Sequence, residues 1–150
     1  MPGYGIEAGP TGLLPWSWAE RQLIESRHFW VATNDEDGSP RLAVVWGVWL
    51  DGVLYFSTGR SSRKARNLAA DPRCAITPGD GDEALSLKGT ARRVTDREAI
   101  ATVERGFVAK YGEGFPDAEN DPLYALDLAT AYGVREAAFT ASATRWRFTD

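Results

Sequence analysis

Around residue 60 the chain gathers hydroxyls and cations at a spacing that suits an anion. The segment "STGRSSRKAR" places Ser57, Thr58 and Ser62 beside Arg60, Arg63, Lys64 and Arg66. A strand-like run, "VLYFS", leads into it, and "RKARNLAA" continues it as a helix that Asp71-Pro72 ends, because the residue before proline is pushed out of the helical region. With Ser62 as the cap, Arg63 and Lys64 occupy the first helical turn, where cations oppose the positive end of the helix dipole. A surface helix ordinarily carries acids there. An anion at the helix start removes the conflict, since it collects the free backbone N–H groups, the hydroxyls and the two cations together. Within the helix, Ala65, Leu68 and Ala69 are expected to pack inward, while Arg63 and Asn67, four residues apart, share the binding face. Read from the residues alone, the segment is a phosphate site, a solvated basic face or a nucleic-acid patch.

The other reactive residue types narrow the chemistry. Cys74 is the one cysteine and His28 the one histidine. A disulfide within the chain and a multi-histidine metal centre are thereby excluded, and a Ser-His-Asp hydrolase would depend on His28 alone. Cys74 sits in strand-like "RCAIT" and reads as buried packing. The formal net charge of -4 does not favour a polyanionic partner, so no nucleic acid is expected and any basic site is local. Apolar residues make up 43% of the 150 and charged residues 25%, as in ordinary globular domains. No apolar run reaches the roughly 20 residues of a membrane span. The opening "MPGYGIEAGPTGLLPW" lacks a basic segment followed by an apolar one, so a cytoplasmic protein is expected. Residues 1–16 read as a flexible arm and 17–150 as a single domain.

The elements that must hold the basic turn are mainly strands. A helix is predicted over Ser17 to Arg27, capped by Ser17 with Glu20 at the capping-box position. Strands follow in "HFWVATN", "RLAVVWGVWL" and "VLYFS", with turns at "DEDGSP" and Asp51-Gly52. After the basic helix come "RCAIT" and a long strand, "ALSLKGTARRV", interrupted at Gly89 by a bulge or corner. A second long helix spans Asp96 to Tyr111, with Ile100, Val103, Phe107 and Val108 on one side. The last third holds the closing strands. This order predicts a mainly β fold, a small barrel with a few covering helices. The run "RLAVVWGVWL" is apolar on both faces, more than one small barrel buries, which predicts a homodimer.

The stretch from Asp37 to Arg73, "DGSPRLAVVWGVWLDGVLYFSTGRSSRKARNLAADPR", resembles the flavin and deazaflavin split-barrel family that includes pyridoxamine 5'-phosphate oxidase and the F420-dependent reductases. The resemblance continues through "LSLKGTARRVTD". It implies a split β-barrel of the FMN-binding type, a homodimer with the cofactor between subunits, and hydride transfer to a small-molecule substrate. By position it implies that Val44, Val45 and Trp46 lie along the cofactor ring, largely through backbone groups. Ser57, Thr58, Ser62, Arg63 and Lys64 then hold the phosphate, and Asn67 matches a position often polar in the deazaflavin branch. The chain ends "TRWRFTD" where the true oxidases have an Arg-Leu-x-Pro pattern, which points away from the vitamin substrate, and Ala84 stands near where those oxidases have a glutamine on the cofactor. Arg60 and Arg66 lengthen the basic track beyond one phosphate, which favours F420, with its acidic tail, over FMN. The alternative is a carrier or sensor of the same fold that binds flavin or haem without catalysis. No acid–base side chain is singled out: Tyr111, Tyr132 and Arg145 are unranked candidates for a proton donor.

Overall fold

The computed structural model describes residues 5, 11–79, 83–115, 117 and 119–148. Helix α1 (Trp16–Glu25) leads into strands β1 (Phe29–Asn34), β2 (Pro40–Val45), β3 (Gly47–Leu50) and β4 (Val53–Ser57). Then come α2 (Arg63–Ala70), β5 (Arg73–Pro78), β6 (Glu83–Val94), α3 (Arg97–Tyr111) and β7 (Leu123–Arg135). A 3-10 turn (Glu136–Ala138), the short α4 (Phe139–Ser142) and β8 (Thr144–Arg147) finish the described chain. All strand pairs are antiparallel, in the order β2-β1-β5-β6-β7-β4-β3, with β8 also pairing β7. This is a split β-barrel, as expected.

The run read as one strand over Arg41 to Leu50 is two. β2 and β3 follow each other in sequence but end up at opposite ends of the sheet, joined through Trp46 alone. The curled sheet therefore meets itself at a seam that carries no strand ladder. Gly47 makes the bend possible: a Cβ there would lie 2.8 Å from the Phe29 ring. The turn at Asp51 and Gly52 uses positive φ at both residues, 47° and 79°, as a two-residue hairpin requires. The expected interruption at Gly89 is present as a register shift between Lys88 and Gly89.

Two apolar clusters flank the sheet. Inside the barrel, Leu23, Phe29, Val31, Leu54, Phe56, Ile76 and Leu87 are fully buried, and α1 stoppers one end through Trp18 and Leu23. Outside it, α3 lays Val103, Phe107 and Tyr111 against Val48, Leu123 and Ala125. Gly106 lets α3 approach closely, since a Cβ there would stand 3.0 Å from Leu50 and 3.1 Å from Val48. The predicted α3 boundary holds, with Asp96 accepting the Ala99 N–H at 2.9 Å and Gly112 in the left-handed region beyond it.

Helix α1 departs from its predicted start. Pro15, not Ser17, is the cap residue, and no side chain caps the helix. Trp16 opens the first turn because its ring packs edge-on to Trp49, Trp146 and Phe148 at centroid distances of 6.1, 5.2 and 4.9 Å. Most of the predicted arm lies outside the described residues, but Leu14 and Trp16 pack against the barrel core.

Candidate functional site

The start of α2 forms as its sequence predicts. Ser62 caps the helix, its Oγ accepting the Ala65 N–H at 3.2 Å, and no acid occupies the first turn. Thr58 and Ser62 hydroxyls bond to each other at 3.2 Å, and Ser57 Oγ donates to the Pro122 carbonyl at 3.0 Å. Of the three hydroxyl protons, one goes to Pro122 and one joins Thr58 to Ser62. One remains for a ligand. Arg60, Arg63, Lys64 and Arg66 make no ion pair among the described residues. The Arg60 N–H donates to Asp121 Oδ1 at 3.2 Å, so a carboxylate lies against the Arg60 end of the turn.

Asn67 is corrected by the structure. Instead of sharing an open face with Arg63, it is 2% exposed, and its Nδ2 donates to Thr33 Oγ1 at 3.1 Å and Asp35 Oδ1 at 2.8 Å. The physical reason is that α2 lies on β1, so the side of the helix carrying Asn67 faces the sheet; the amide supplies a polar link where an apolar side chain would have left Thr33 unpaired. Asp35 also takes both Arg41 bonds, at 2.8 and 3.0 Å. The Arg41 hydrogen bond first, then that of Asn67, with smaller help from the charges of Arg41 and Arg63, holds the Asp35 carboxyl down to about 2. Ala69, expected inside, is exposed. Asp71 is claimed by Arg73 at 2.8 Å and leaves Arg60 and Arg66 alone.

Val44, Val45 and Trp46 sit at the seam and separate. Val44 is 47% exposed on the outer surface, and Val45 is buried in the barrel at 6%. Because β2 pairs only with β1, its second edge presents unpaired backbone groups. Trp46 stacks flat on Tyr111, with 4.2 Å between centroids, and meets Ser57 in a cavity of about 470 Å3 shared with Phe107, Glu113 and Phe115. The structure thus brings Trp46 to the basic turn through Ser57.

Tyr111 and Lys110 secure this seam, a role the sequence did not suggest. Tyr111 Oη accepts the Gly47 N–H at 3.0 Å and stands 2.9 Å from the carbonyls of both Arg27 and Gly47. Lys110 Nζ donates to the Gly47 carbonyl at 2.8 Å, which leaves the Tyr111 proton for Arg27. Burial, and next the charge of Arg27, bring the Lys110 ammonium down to about 8. With its hydroxyl committed to backbone, Tyr111 is a positioning residue. Tyr132 and Arg145 lie elsewhere, beside a different cavity. The only sequence signal for the seam was Gly47 itself, interrupting "VVWGVW".

Cys74 is buried, and burial raises its thiol to about 11. His28 is exposed, and its carbonyl, not its imidazole, accepts from Ser26. Among the described residues no cluster of three metal-ligating side chains occurs, and no helix is long and apolar enough to cross a membrane.

Comparison with known proteins places this architecture. The sequence matches the family model described as pyridoxamine 5'-phosphate oxidase over residues 19–136. No curated protein matches it. Among solved structures, the conserved hypothetical protein Rv2991 from Mycobacterium tuberculosis superposes with a TM-score of 0.76 at 22% identity, covering 87% of this chain and 90% of that one. An F420 reductase gives 0.62 at 22% identity, over 75% and 94%. A heme binding protein from Mycobacterium smegmatis gives 0.68 at 20% identity, over 89% and 59%. At these identities the solved structures speak for the fold. The family match over residues 19–136, with the seam and the capped basic turn in place, makes this chain a member of the pyridoxamine 5'-phosphate oxidase family of split barrels.

Proposed function

We propose that the protein is a homodimeric oxidoreductase that binds a phosphorylated flavin-type cofactor, F420 ahead of FMN, and passes a hydride between it and a small organic substrate. The observation that carries this reading is the start of α2: Arg63 and Lys64 stand in an acid-free first turn, beside a spare hydroxyl proton, with no carboxylate pairing either side chain among the described residues. These groups fit a phosphate dianion. Ser62, Thr58, Arg63 and Lys64 would hold it, the free edge of β2 at Val44–Trp46 would face the ring, and Trp46 would wall off water. The cofactor, when bound, supplies the hydride chemistry. Arg66, exposed and in no ion pair among the described residues, supports F420 by extending the cationic track toward an acidic tail. The exposed Arg60 side chain is also in no ion pair there, although Asp121 takes its backbone N–H and Asp117 lies within reach of its charge.

A titration of F420 and of FMN tests this. Each charged hydrogen bond is worth about 1.5–3 kcal/mol, so Arg63→Ala with Lys64→Ala should weaken cofactor binding by about 2–4 kcal/mol, while the stability of the cofactor-free protein holds or rises. Unchanged affinity refutes the phosphate assignment. Arg60→Ala and Arg66→Ala should each weaken F420 alone; equal losses for both cofactors would remove the preference for F420. A haem-binding carrier is the second reading, supported by the heme binding protein of shared fold and by the exposed His28, whose imidazole makes no hydrogen bond among the described residues. A Soret band that forms on haem addition and disappears in His28→Ala would favour it.

A further inference from the structure

At the seam the fold surrounds an amine with aromatic rings and a second cation, and gives it no acid. Lys110 is half-buried, and Nζ makes one hydrogen bond among the described residues, to the Gly47 carbonyl at 2.8 Å. It stands 5.0 Å from the centre of the Phe29 ring and 5.3 Å from that of Tyr111. The Arg27 guanidinium lies over the same Tyr111 ring at 5.2 Å. Trp46 is stacked flat on that ring at 4.2 Å, so the two cations share the face that Trp46 leaves open. Neither cation has an ion pair among the described residues. The elements around Nζ bring β1's Phe29, β3's Gly47 and, from α3, Tyr111, whose hydroxyl is bonded to backbone. His28, between Arg27 and Phe29 in the chain, is exposed, and Arg27 is the charge that acts on Lys110.

We propose that Lys110 is a modification site for carbon dioxide: its neutral amine forms a carbamate, and Arg27 holds the anion that results. Burial and Arg27 bring the ammonium down to about 8, so near that pH about half of the amine carries a free lone pair. The lone pair forms the N–C bond to the carbon of carbon dioxide, one C–O π pair moves onto oxygen, and the nitrogen releases one proton to water. Nothing is oxidised or reduced. The carbamate nitrogen keeps one N–H, which is all that the Gly47 carbonyl uses, so the seam bond is retained. The charge meanwhile changes sign. Two cations that repel become an anion beside a guanidinium, whose planar fork of donors suits a carboxylate-like group. The neighbour that costs the ammonium therefore stabilises the product. An aldehyde also reacts with a neutral amine, but its adduct carries no negative charge for Arg27 to meet. None of the groups assigned to the cofactor phosphate takes part, so the site stands whether or not a cofactor binds at α2.

The test equilibrates the full, cofactor-free protein with isotope-labelled bicarbonate near pH 8, where Lys110 titrates, traps carbamates with a trialkyloxonium salt and locates the label by peptide mass. Lys64 and Lys88, the other lysines of the chain, are the internal comparison. Lys110 is expected to carry the label on the order of tenfold more often than either. The excess should vanish when the protein is unfolded in guanidinium chloride before exposure, and label on Lys110 should fall in Arg27→Gln. No label on Lys110, equal labelling of the lysines, or the same excess in the unfolded chain overturns the proposal without any variant having to fold. Unchanged label on Lys110 in Arg27→Gln also overturns it, because the guanidinium is then not what holds the adduct.

Discussion

Lys110 shows how one side chain can serve the fold against its own ionisation. Its ammonium is drawn in to satisfy the Gly47 carbonyl, which the seam leaves without a strand partner, and the Phe29 ring lies under it at 5.0 Å. The favourable pole at the end of α3 helps hold the charge, yet burial and Arg27 still bring its titration down to about 8. An unfolded lysine titrates near 10.4, so between these values the unfolded chain binds more protons and stability rises with pH. Below about 8 both states are charged, and the cost of burying the ammonium is fully present. Cys74 acts in the opposite sense: its folded thiol holds a proton up to about 11, so above its unfolded value the folded state is increasingly disfavoured. The Lys110 contribution is therefore cleanest between about pH 8 and 9. Urea midpoints of the parent should climb more steeply through that interval than those of Lys110→Met; parallel profiles would show that Lys110 does not titrate there.

At the scale of the element, α2 is presented to a ligand by what lies beneath it. Asn67 ties the helix to β1 through Thr33 and Asp35, and Asp35 is itself clamped by Arg41 from β2. Asn67→Ala leaves the buried Thr33 hydroxyl without that donor, and a loss of about 1–3 kcal/mol in denaturant unfolding of the cofactor-free protein is expected. A ligand-contact role alone would leave that stability untouched. The limits of α2 were legible because Ser62 and Asp71-Pro72 are local signals, and the same holds for Asp96 at the start of α3 and for Asp51-Gly52. The inward turn of Asn67 was not legible. Spacing fixes the angle between Arg63 and Asn67 around the helix, but not which strand comes to lie against that side, and Thr33 and Asp35 are remote in sequence. The break at Trp46 was hidden for a similar reason. Every residue of "VVWGVW" suits a strand, and the separation of β2 from β3 depends on pairings with β1 and β4 made elsewhere in the chain. For the candidate site, the hydroxyls and cations were legible as types, while the commitment of the Ser57 proton to Pro122 required the fold.

For the whole molecule, the outer face is divided. Trp30 pairs with Val44, and Leu42 lies two residues along β2, leaving these three apolar side chains exposed at 40, 47 and 61%. The charged half of the same face begins at Lys88. The proposed dimer would cover the apolar half, so Leu42→Glu should convert a dimer into a monomer in light scattering with the circular dichroism spectrum retained; a parent that is monomeric at micromolar concentration removes the proposal. The seam has a consequence of another kind, for motion. A sheet closed by hydrogen-bonded strands opens only by breaking a ladder, but β2 and β3 share none, and their junction is fastened by Tyr111 and Lys110 at Gly47. Opening there costs a latch and not a ladder. Amide exchange should therefore be graded around the barrel: slowest in β6, which is paired on both sides, and fastest along the unpaired edge of β2, with Tyr111→Phe speeding exchange at the seam before it does so in β6. A barrel built this way breathes at one fixed line, the line along which the outer edge of β2 has no strand partner among the described residues.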